Sequence, residues 1–301
     1  MPHNVDLNLI RPLQALLEEQ SVTRASARLG LSQSAMSALL AKLRRHFGDE
    51  LLVRNGNVYS PSPLARELLE PTYTALRAAN RLFDRENAFD PATSAREFSV
   101  IMSDYSAAVL GPTMSRMIAE QSPKSQLSIH MLNPSLAQNA PDSMRVHDLM
   151  LIPHGFVHGL SHRDLYEDEW ACIVSSDLDL PHGKLTAEDL VELPWVTVYS
   201  GPMAFTTAVQ QLRMQGIEPH VEVVTESYML LGPIIAGTRR VALVQQRLGR
   251  LLETTGLVRV LDCPFPTDPL VETMWWHSMY DSDKAHVWLR EVFIQAGIEI
   301  T

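Results

Sequence analysis

Apolar positions at helical spacing open the chain. Leu9, Leu13, Leu16 and Leu17 recur at a 3.6-residue period and predict a helix within residues 7–19, with Pro12 tolerated near its start. Ser21 is placed to cap a short helix over 22–29 with Val22, Ala25 and Leu29 as its inner stripe, and Gly30 ends it. Ser32 caps a second helix over 33–47. Two short helices around a tight glycine turn predict a helix-turn-helix. In the second helix Met36, Leu39, Leu40, Leu43 and Phe47 fall on the core side. Ser34, Ser37, Ala38, Ala41 and Arg45 fall on the opposite side, with Gln33 at the tip. Leu51-Leu52-Val53 and Val58-Tyr59 flank Asn55-Gly56, a strong turn dipeptide, and predict a small hairpin, or wing.

Residues 62–86 read as one long helix, with Leu69, Tyr73, Leu76, Asn80 and Phe83 close to a heptad seam. Pro71 is expected to kink it or to interrupt its hydrogen bonding. From residue 96 onward, eight strands are expected: 98–102, 127–132, 149–152, 171–174, 195–199, 221–224, 241–244 and 271–276. Helical patterns at 105–120, 204–215, 227–236 and 284–296 lie between or after them. That alternation predicts an α/β body with mostly parallel sheets.

The 301 residues suggest about two domains, and 46% apolar with 20% charged residues is an ordinary globular composition. No apolar run reaches the ~18 residues of a membrane span, so no membrane role is expected. Asp6 and Asn8 interrupt the first apolar stretch, so no signal segment is read there. Cys172 and Cys263 lie far apart in sequence; a disulfide framework or cysteine zinc site is excluded, and a cytoplasmic location fits. The net charge of −10 hides an asymmetry. Residues 21–60 carry six basic side chains (Arg24, Arg28, Lys42, Arg44, Arg45, Arg54) against Asp49 and Glu50, which leaves −14 on the rest. A basic piece on an acidic body points to a polyanion partner for that piece alone, although a solvated helix face would give the same charge.

The small, uncharged first two turns of the 33–47 helix would let its axis approach base edges in a major groove ~12 Å wide. Gln33 can pair bidentately with adenine, and Ser32, Ser34 and Ser37 can donate or accept beside Ala38. Lys42, Arg44 and Arg45 come where a tilted helix meets phosphates, and Arg54 and Asn55 at the wing tip would reach the backbone or minor groove. The bland alternative is a surface helix of a bundle.

The run SVTRASARLGLSQSAMSALLAKLRRHFGDELLVRNG makes the pattern specific. Residues 7–64 resemble the winged helix-turn-helix of LysR-type transcriptional regulators, with wording similar to the branch of nodulation regulators and regulators responsive to aromatic compounds. Ser34 stands where that family usually has proline, Ala38 where many members have a base-contacting arginine, and Ser60-Pro61-Ser62-Pro63 replaces the usual Leu-Thr-Pro-x-Gly. The resemblance implies an α/β protein with an N-terminal all-α winged helix-turn-helix at 1–61, a dimerisation helix at 62–87 and a hinge at 88–95. It implies an effector domain at 96–301 of two Rossmann-like lobes akin to periplasmic binding proteins, one from 96–165 with 270–301 and one from 166–269. It further implies double-stranded DNA with an inverted-repeat operator, homodimers or homotetramers, contact with RNA polymerase, and neither cofactor nor catalytic residue.

Open parallel sheets bind ligands beyond the carboxyl ends of their strands. Ser103, Asp104 and Tyr105 follow one such end, Ser135 the next, and His154 and Phe156 the third. Tyr199, Ser200, Pro202 and Met203 follow a strand of the other lobe. These are the expected effector residues, for a small, aromatic inducer in keeping with the branch resemblance. Asp104 would repel an anionic inducer; it caps the helix or marks a neutral or polyhydroxylated effector. Each is also an ordinary turn residue satisfying local backbone groups. His154, His158 and His162 are spaced as metal ligands on a helix would be, but Pro153, Gly155 and Gly159 argue against a helix, and no metal is expected. No G-x-S-x-G elbow, Walker loop or G-x-G-x-x-G occurs. The alternative to a regulator is an α/β solute-binding or enzymatic protein carrying an appended helix-turn-helix.

Overall fold

The computed structural model describes residues 6–55, 58–84, 89–180, 183–198 and 212–301; the side chains at 54, 55, 58, 70, 74, 77, 78 and 80–84 lie outside that description. The chain divides into two compact units, residues 1–88 and 89–301.

The first unit is helical. A single 3-10 turn, Leu7–Leu9, leads into α1 (Ile10–Glu19), followed by α2 (Val22–Leu29) and α3 (Gln33–Phe47). Each helix starts or stops where local chemistry dictates. The Ser21 hydroxyl accepts from the Arg24 amide, and Gly30 closes α2 in the left-handed region at φ 65°. The strands β1 (Leu52–Asn55) and β2 (Val58–Pro61) pair antiparallel, Leu52 opposite Pro61 and Asn55 opposite Val58. Leu9, Leu13, Leu16, Leu17, Ala25, Met36, Leu40, Leu43, Leu51 and Leu52 form one core. α4 (Pro63–Asp84) continues through Pro71 rather than ending there. The Thr72 hydroxyl donates to the Leu68 carbonyl at 2.6 Å beside it. Ala65, Leu68 and Leu69 pack on that core, and the Tyr73 hydroxyl donates to Glu18 on α1. Leu69 and Tyr73 therefore serve their own unit; Asn80 and Phe83 of the expected seam have side chains outside the described set.

The second unit holds two five-stranded sheets. The first runs β4 (Gln126–Met131), β3 (Glu97–Met102), β5 (Leu149–Leu151), β12 (Leu270–Trp276), β6 (Ser161–Asp168). The second runs β11 (Val258–Asp262), β7 (Trp170–Ser175), β10 (Val241–Gln245), β8 (Pro194–Val198), β9 (His220–Thr225). The sheets are mixed, which corrects the expectation of mostly parallel ones. β3 pairs parallel with β4 and β5, but β12 pairs antiparallel with β5 and β6. In the second sheet β10–β8 and β8–β9 are parallel, whereas β7 pairs antiparallel with β10 and β11. The antiparallel strands are those next to the two places where the chain passes between sheets, at Glu169 and at residues 263–269. α5 (Asp104–Gln121) and the C-terminal helix Lys284–Ile300 belong to the first lobe. Gly297 lets that last helix close on β6, since a Cβ there would meet the Leu165 carbonyl oxygen at 2.7 Å. Among the described residues, no helix is long and apolar enough to cross a membrane.

Candidate nucleic-acid interface and effector seam

Ser32 takes an extended conformation and its hydroxyl accepts from the Ala35 amide, so α3 begins at Gln33. Met36, Leu40 and Leu43 are buried, which turns the other face outward: Gln33, Ser34, Ser37, Ala38, Ala41, Lys42 and Arg45 are all exposed. Ser32 Oγ lies 3.0 Å from Ser34 Oγ, so one of the two hydroxyls at the helix start donates to the other. Gly48 ends the helix in the left-handed region at φ 64°. The resulting surface is small and neutral for two turns and basic after them, the shape a groove-entering helix requires.

The basic side chains divide by role. Arg44 is drawn into the fold: its Nε donates to the Glu50 carbonyl at 2.8 Å and its Nη2 to the Leu52 carbonyl at 2.9 Å. The expectation that it meets phosphates is corrected, because this guanidinium pins the strand entering the wing. Arg28 pairs with Glu18 and Glu19, Arg24 with Glu19, and Lys42 with Asp6. Those last pairs are exposed and worth little, so they can be exchanged for phosphates. The wing is anchored at Asp49, whose carboxylate accepts from the Leu51 amide and the Ser62 hydroxyl at 2.6 Å each. These bonds hold its pKa below the usual carboxylate value, the Ser62 bond most. Arg54 and Asn55 stand at the turn end of β1, and their side chains fall outside the described residues.

In the second unit, the carboxyl ends of parallel strands from both sheets meet. Ser103 follows β3 and caps α5, its hydroxyl accepting from the Ser106 amide at 3.1 Å. Asp104 does not cap its own helix. Its carboxylate reaches the other lobe, where Oδ2 accepts from the Ser227 hydroxyl at 2.6 Å and the Met229 amide at 3.1 Å, just past β9. Asp104 Oδ1 is buried with no hydrogen-bond partner among the described residues. Behind it, buried Tyr105 donates to Asp168 Oδ2 at 2.8 Å, and the Ser106 hydroxyl donates to Glu272 Oε1 at 3.1 Å. Burial, with Asp168 nearby, pushes the Glu272 carboxyl up to about 8, and burial also raises Asp168. Glu272 is therefore mostly a neutral acid at pH 7. Across the seam, Arg247 donates its amide to Asp168 at 3.3 Å. Trp170 Nε1, Gln245 Oε1 and Arg247 Nε are buried without a partner among the described residues.

The expected effector residues separate. Ser103, Asp104 and Tyr105 lie at this seam, but Tyr105 is packed within it instead of forming an open wall. Ser135 is exposed in the first turn of a short helix capped by Asn133. His154 belongs to another cluster: its Nε2 lies 2.7 Å from Asp164 Oδ1, with the rings of His162 and Trp275 each 5.3 Å away. Phe156 is half buried against the main core. Tyr199, Ser200, Pro202 and Met203 lie outside the described residues. Ser227, Asp168, Arg247 and Glu272 were missed. Ser227 was within reach, since 221–224 was read as a strand and the carboxyl-end rule applies there too. The others carry no local signal.

Two family profiles match the chain. Residues 7–66 match "Bacterial regulatory helix-turn-helix protein, lysR family", and residues 92–296 match "LysR substrate binding domain". Nodulation protein D 2 of Rhizobium tropici is 29% identical over 97% of this chain and 92% of its own length. Nodulation protein D 1 of Rhizobium leguminosarum bv. phaseoli is 31% identical over 97% and 93%. A probable transcriptional regulator of Pseudomonas aeruginosa superposes with a TM-score of 0.77 at 24% identity, covering 96% of both chains. Full-length CbnR in complex with its target DNA gives 0.66 at 15% identity, over 99% of this chain and 100% of that one. The chain belongs to the LysR family of bacterial DNA-binding transcriptional regulators, with a helix-turn-helix domain and an effector-binding domain, and is not an enzyme.

Proposed function

We propose that the protein is a cytoplasmic regulator that reads an inverted-repeat operator through Gln33, Ser34, Ser37 and Ala38 and responds to a small aromatic effector held between its two lobes. The exposed outer face of α3, uncharged at its start and basic at its end, carries the DNA half of this reading. Ser32 contributes as the cap that sets where the helix begins, Lys42 and Arg45 meet phosphates, and Arg54 and Asn55 reach the backbone from the wing. Half-sites read by a dimer lie about one helical turn or a multiple apart, so a homodimer or homotetramer joined through α4 fits such an operator. Contact with RNA polymerase is part of the same proposal.

The buried, unpartnered Asp104 Oδ1 supports an effector that donates a hydrogen bond. A carboxylate group would face Asp104 with like charge, whereas a phenolic hydroxyl would satisfy it. Ser103, Ser135, Phe156 and residues Tyr199, Ser200, Pro202 and Met203 remain the proposed surroundings, with Tyr105 behind them; His154 fits this site least. An effector bound there favours one lobe arrangement over another only by its difference in affinity for the two. Sequencing the DNA retained by the purified protein tests the first half, and an enriched palindromic motif is expected. Thermal unfolding across neutral phenols and matched aromatic carboxylates tests the second. Stabilisation by phenols alone is expected; stabilisation by carboxylates alone, or by nothing aromatic, overturns it.

A further inference from the structure

The two cysteines, which their distance in sequence set apart, meet in the fold. Cys172 Sγ and Cys263 Sγ are 3.9 Å apart. The register explains this: on β7 and β11, Leu261 stands opposite Cys172, and Cys263 is two residues beyond Leu261 on the same side of the strand. Cys172 is fully buried in the interior strand β7, while Cys263 is partly exposed. Their places in the chain matter as much as their contact. Cys172 lies three residues past Glu169, where the chain enters the second lobe, and Cys263 begins the segment 263–269, where it returns to the first. Cys263 packs against a hydrophobic cluster of the second lobe and against the larger cluster that spans both lobes. Pro264, Pro266 and Pro269 follow it and leave that segment without three backbone donors, and it joins no strand ladder.

We propose that Cys172 and Cys263 form an oxidisable dithiol that a hydroperoxide converts to a disulfide, joining the two chain crossings between the lobes. The partly exposed Cys263 reacts first. Its thiolate sulfur attacks a peroxide oxygen, the O–O bond breaks, and an S–O bond forms as water or an alcohol leaves, giving a sulfenic acid. Cys172 then loses its proton as its sulfur attacks Cys263 Sγ; the S–O bond breaks and hydroxide leaves with that proton as water. Two thiols lose two electrons, and the peroxide gains them. Fully buried Cys172 does not meet the oxidant, and its contact with Cys263 leaves it to resolve the sulfenic acid; the Cys263 sulfur and burial hold its thiol well above its ordinary pKa, so it stays protonated until it attacks. Bonding requires the sulfurs to approach from 3.9 Å to ~2.05 Å, and the segment after Cys263, which lies outside any strand, can supply the movement. A thiol pair of this kind suits a reducing compartment, where disulfides are transient and sensing ones.

The test uses the reduced full-length protein and hydrogen peroxide. After treatment the protein is denatured, alkylated and weighed by intact mass spectrometry. Two adducts are expected before treatment, none after it, and two again after dithiothreitol, with one cross-linked peptide pair containing Cys172 and Cys263. In C172A, Cys263 is expected to stop at the sulfenic acid and be trapped by dimedone. Persistence of two adducts, irreversible oxygen addition, or a Cys263–Cys263 link between chains overturns the proposal. The oxidised protein is also expected to unfold at a higher temperature. A disulfide that leaves this temperature unchanged would not hold the two crossings together and would overturn that part.

Discussion

In residues 6–84 the helix caps and the arginine that pins the wing find partners close by in sequence, although Tyr73 and Glu18 join across 55 residues. Ser21 caps onto Arg24, Ser32 onto Ala35, and Arg44 reaches Glu50 and Leu52. In residues 89–301 the polar groups of the seam between the lobes find partners far away. Tyr105 and Asp168 are 63 residues apart, Asp104 and Ser227 are 123, and Ser106 and Glu272 are 166. The difference is one of burial as well as distance. The first unit places its charges at the surface and shifts its carboxylates downward: at Glu18, burial is outweighed by hydrogen bonds from Tyr73 and Arg28. The second unit buries acids and histidines outright, Asp148, Asp168 and Glu272 with His147 and His286. A unit of the first kind stands by local rules and presents a surface; one of the second kind depends on a seam whose protonation must be correct.

The pH response of the second unit is the largest expected effect. Glu272 is raised to about 8 by burial, so its contribution is fully present below about 4.5 and is lost as pH rises toward 8. The window spans roughly 3.5 units, an order of 4–5 kcal/mol. His286 acts oppositely: burial lowers it to about 4, and its neutral ring donates to the Asp148 carbonyl at 2.7 Å. Its contribution is present above about 6.5 and is lost as pH falls toward 4, roughly 3 kcal/mol in all. All five tryptophans lie in residues 89–301, so indole fluorescence reports this unit alone. Urea unfolding followed that way should give falling stability on the alkaline side. Glu272→Gln keeps an acceptor for Ser106 and should flatten that limb from pH 5 to 8. An unchanged slope in the variant would mean that Glu272 is not the buried acid responsible.

A second effect belongs to the first unit. Gln33→Ala should cost about 1–3 kcal/mol of operator affinity, concentrated at one base position. Competition binding with single-base operator variants checks it, and an equal loss on random duplex would reduce Gln33 to a phosphate contact. Tryptophan fluorescence should not change, because the substitution touches an exposed side chain outside the fluorescent unit.

The same contrast explains what could be read in advance. α3 was legible because its cap, its period and its closing glycine are all local: Ser32, the Met36–Leu40–Leu43 stripe and Gly48. β6 and β11 were not read at all. Both lie at sheet edges, and β6 exposes His162, Arg163, Asp164 and Glu167, the polar dress that keeps edges from pairing with other chains. Arg44 was misread because charge in sequence does not reveal which guanidinium meets a backbone carbonyl. Asp168, Arg247 and Glu272 escaped because only the folding of the two sheets brings them together.

A smaller effect tests whether the helix start at the seam is scaffold or ligand contact. Ser103→Ala removes the cap on the Ser106 amide and the neighbour of the Ser106 hydroxyl at 2.9 Å. It should lower the stability of the second unit by about 0.5–2 kcal/mol with or without effector. If stability is unchanged and only effector stabilisation is lost, Ser103 is a ligand contact first and a cap second.

The smallest effect separates two adjacent arginines on α3. Arg44 and Arg45 carry the same charge one residue apart, but the helix turns them about 100° from each other. Arg44 is half buried, with two backbone carbonyls and Glu50 around its guanidinium. Arg45 is exposed on the side that also carries Ala38, Ala41 and Lys42. Arg45→Ala should therefore leave stability within about 0.5 kcal/mol. It should weaken binding to all duplexes alike, with the slope of log affinity against log salt about 0.9 smaller in magnitude. Arg44→Ala should do the reverse: it removes the guanidinium from the Glu50 and Leu52 carbonyls, of which Glu50's keeps the Leu52 amide as a backbone donor, so it lowers the melting temperature of the first unit, followed by helical circular dichroism. Any loss of DNA affinity from Arg44→Ala should then track unfolding and disappear on cooling, whereas the loss from Arg45→Ala should persist at every temperature. Equal salt slopes in the two variants would mean that their shared charge, and not the face of the helix each occupies, decides what they do.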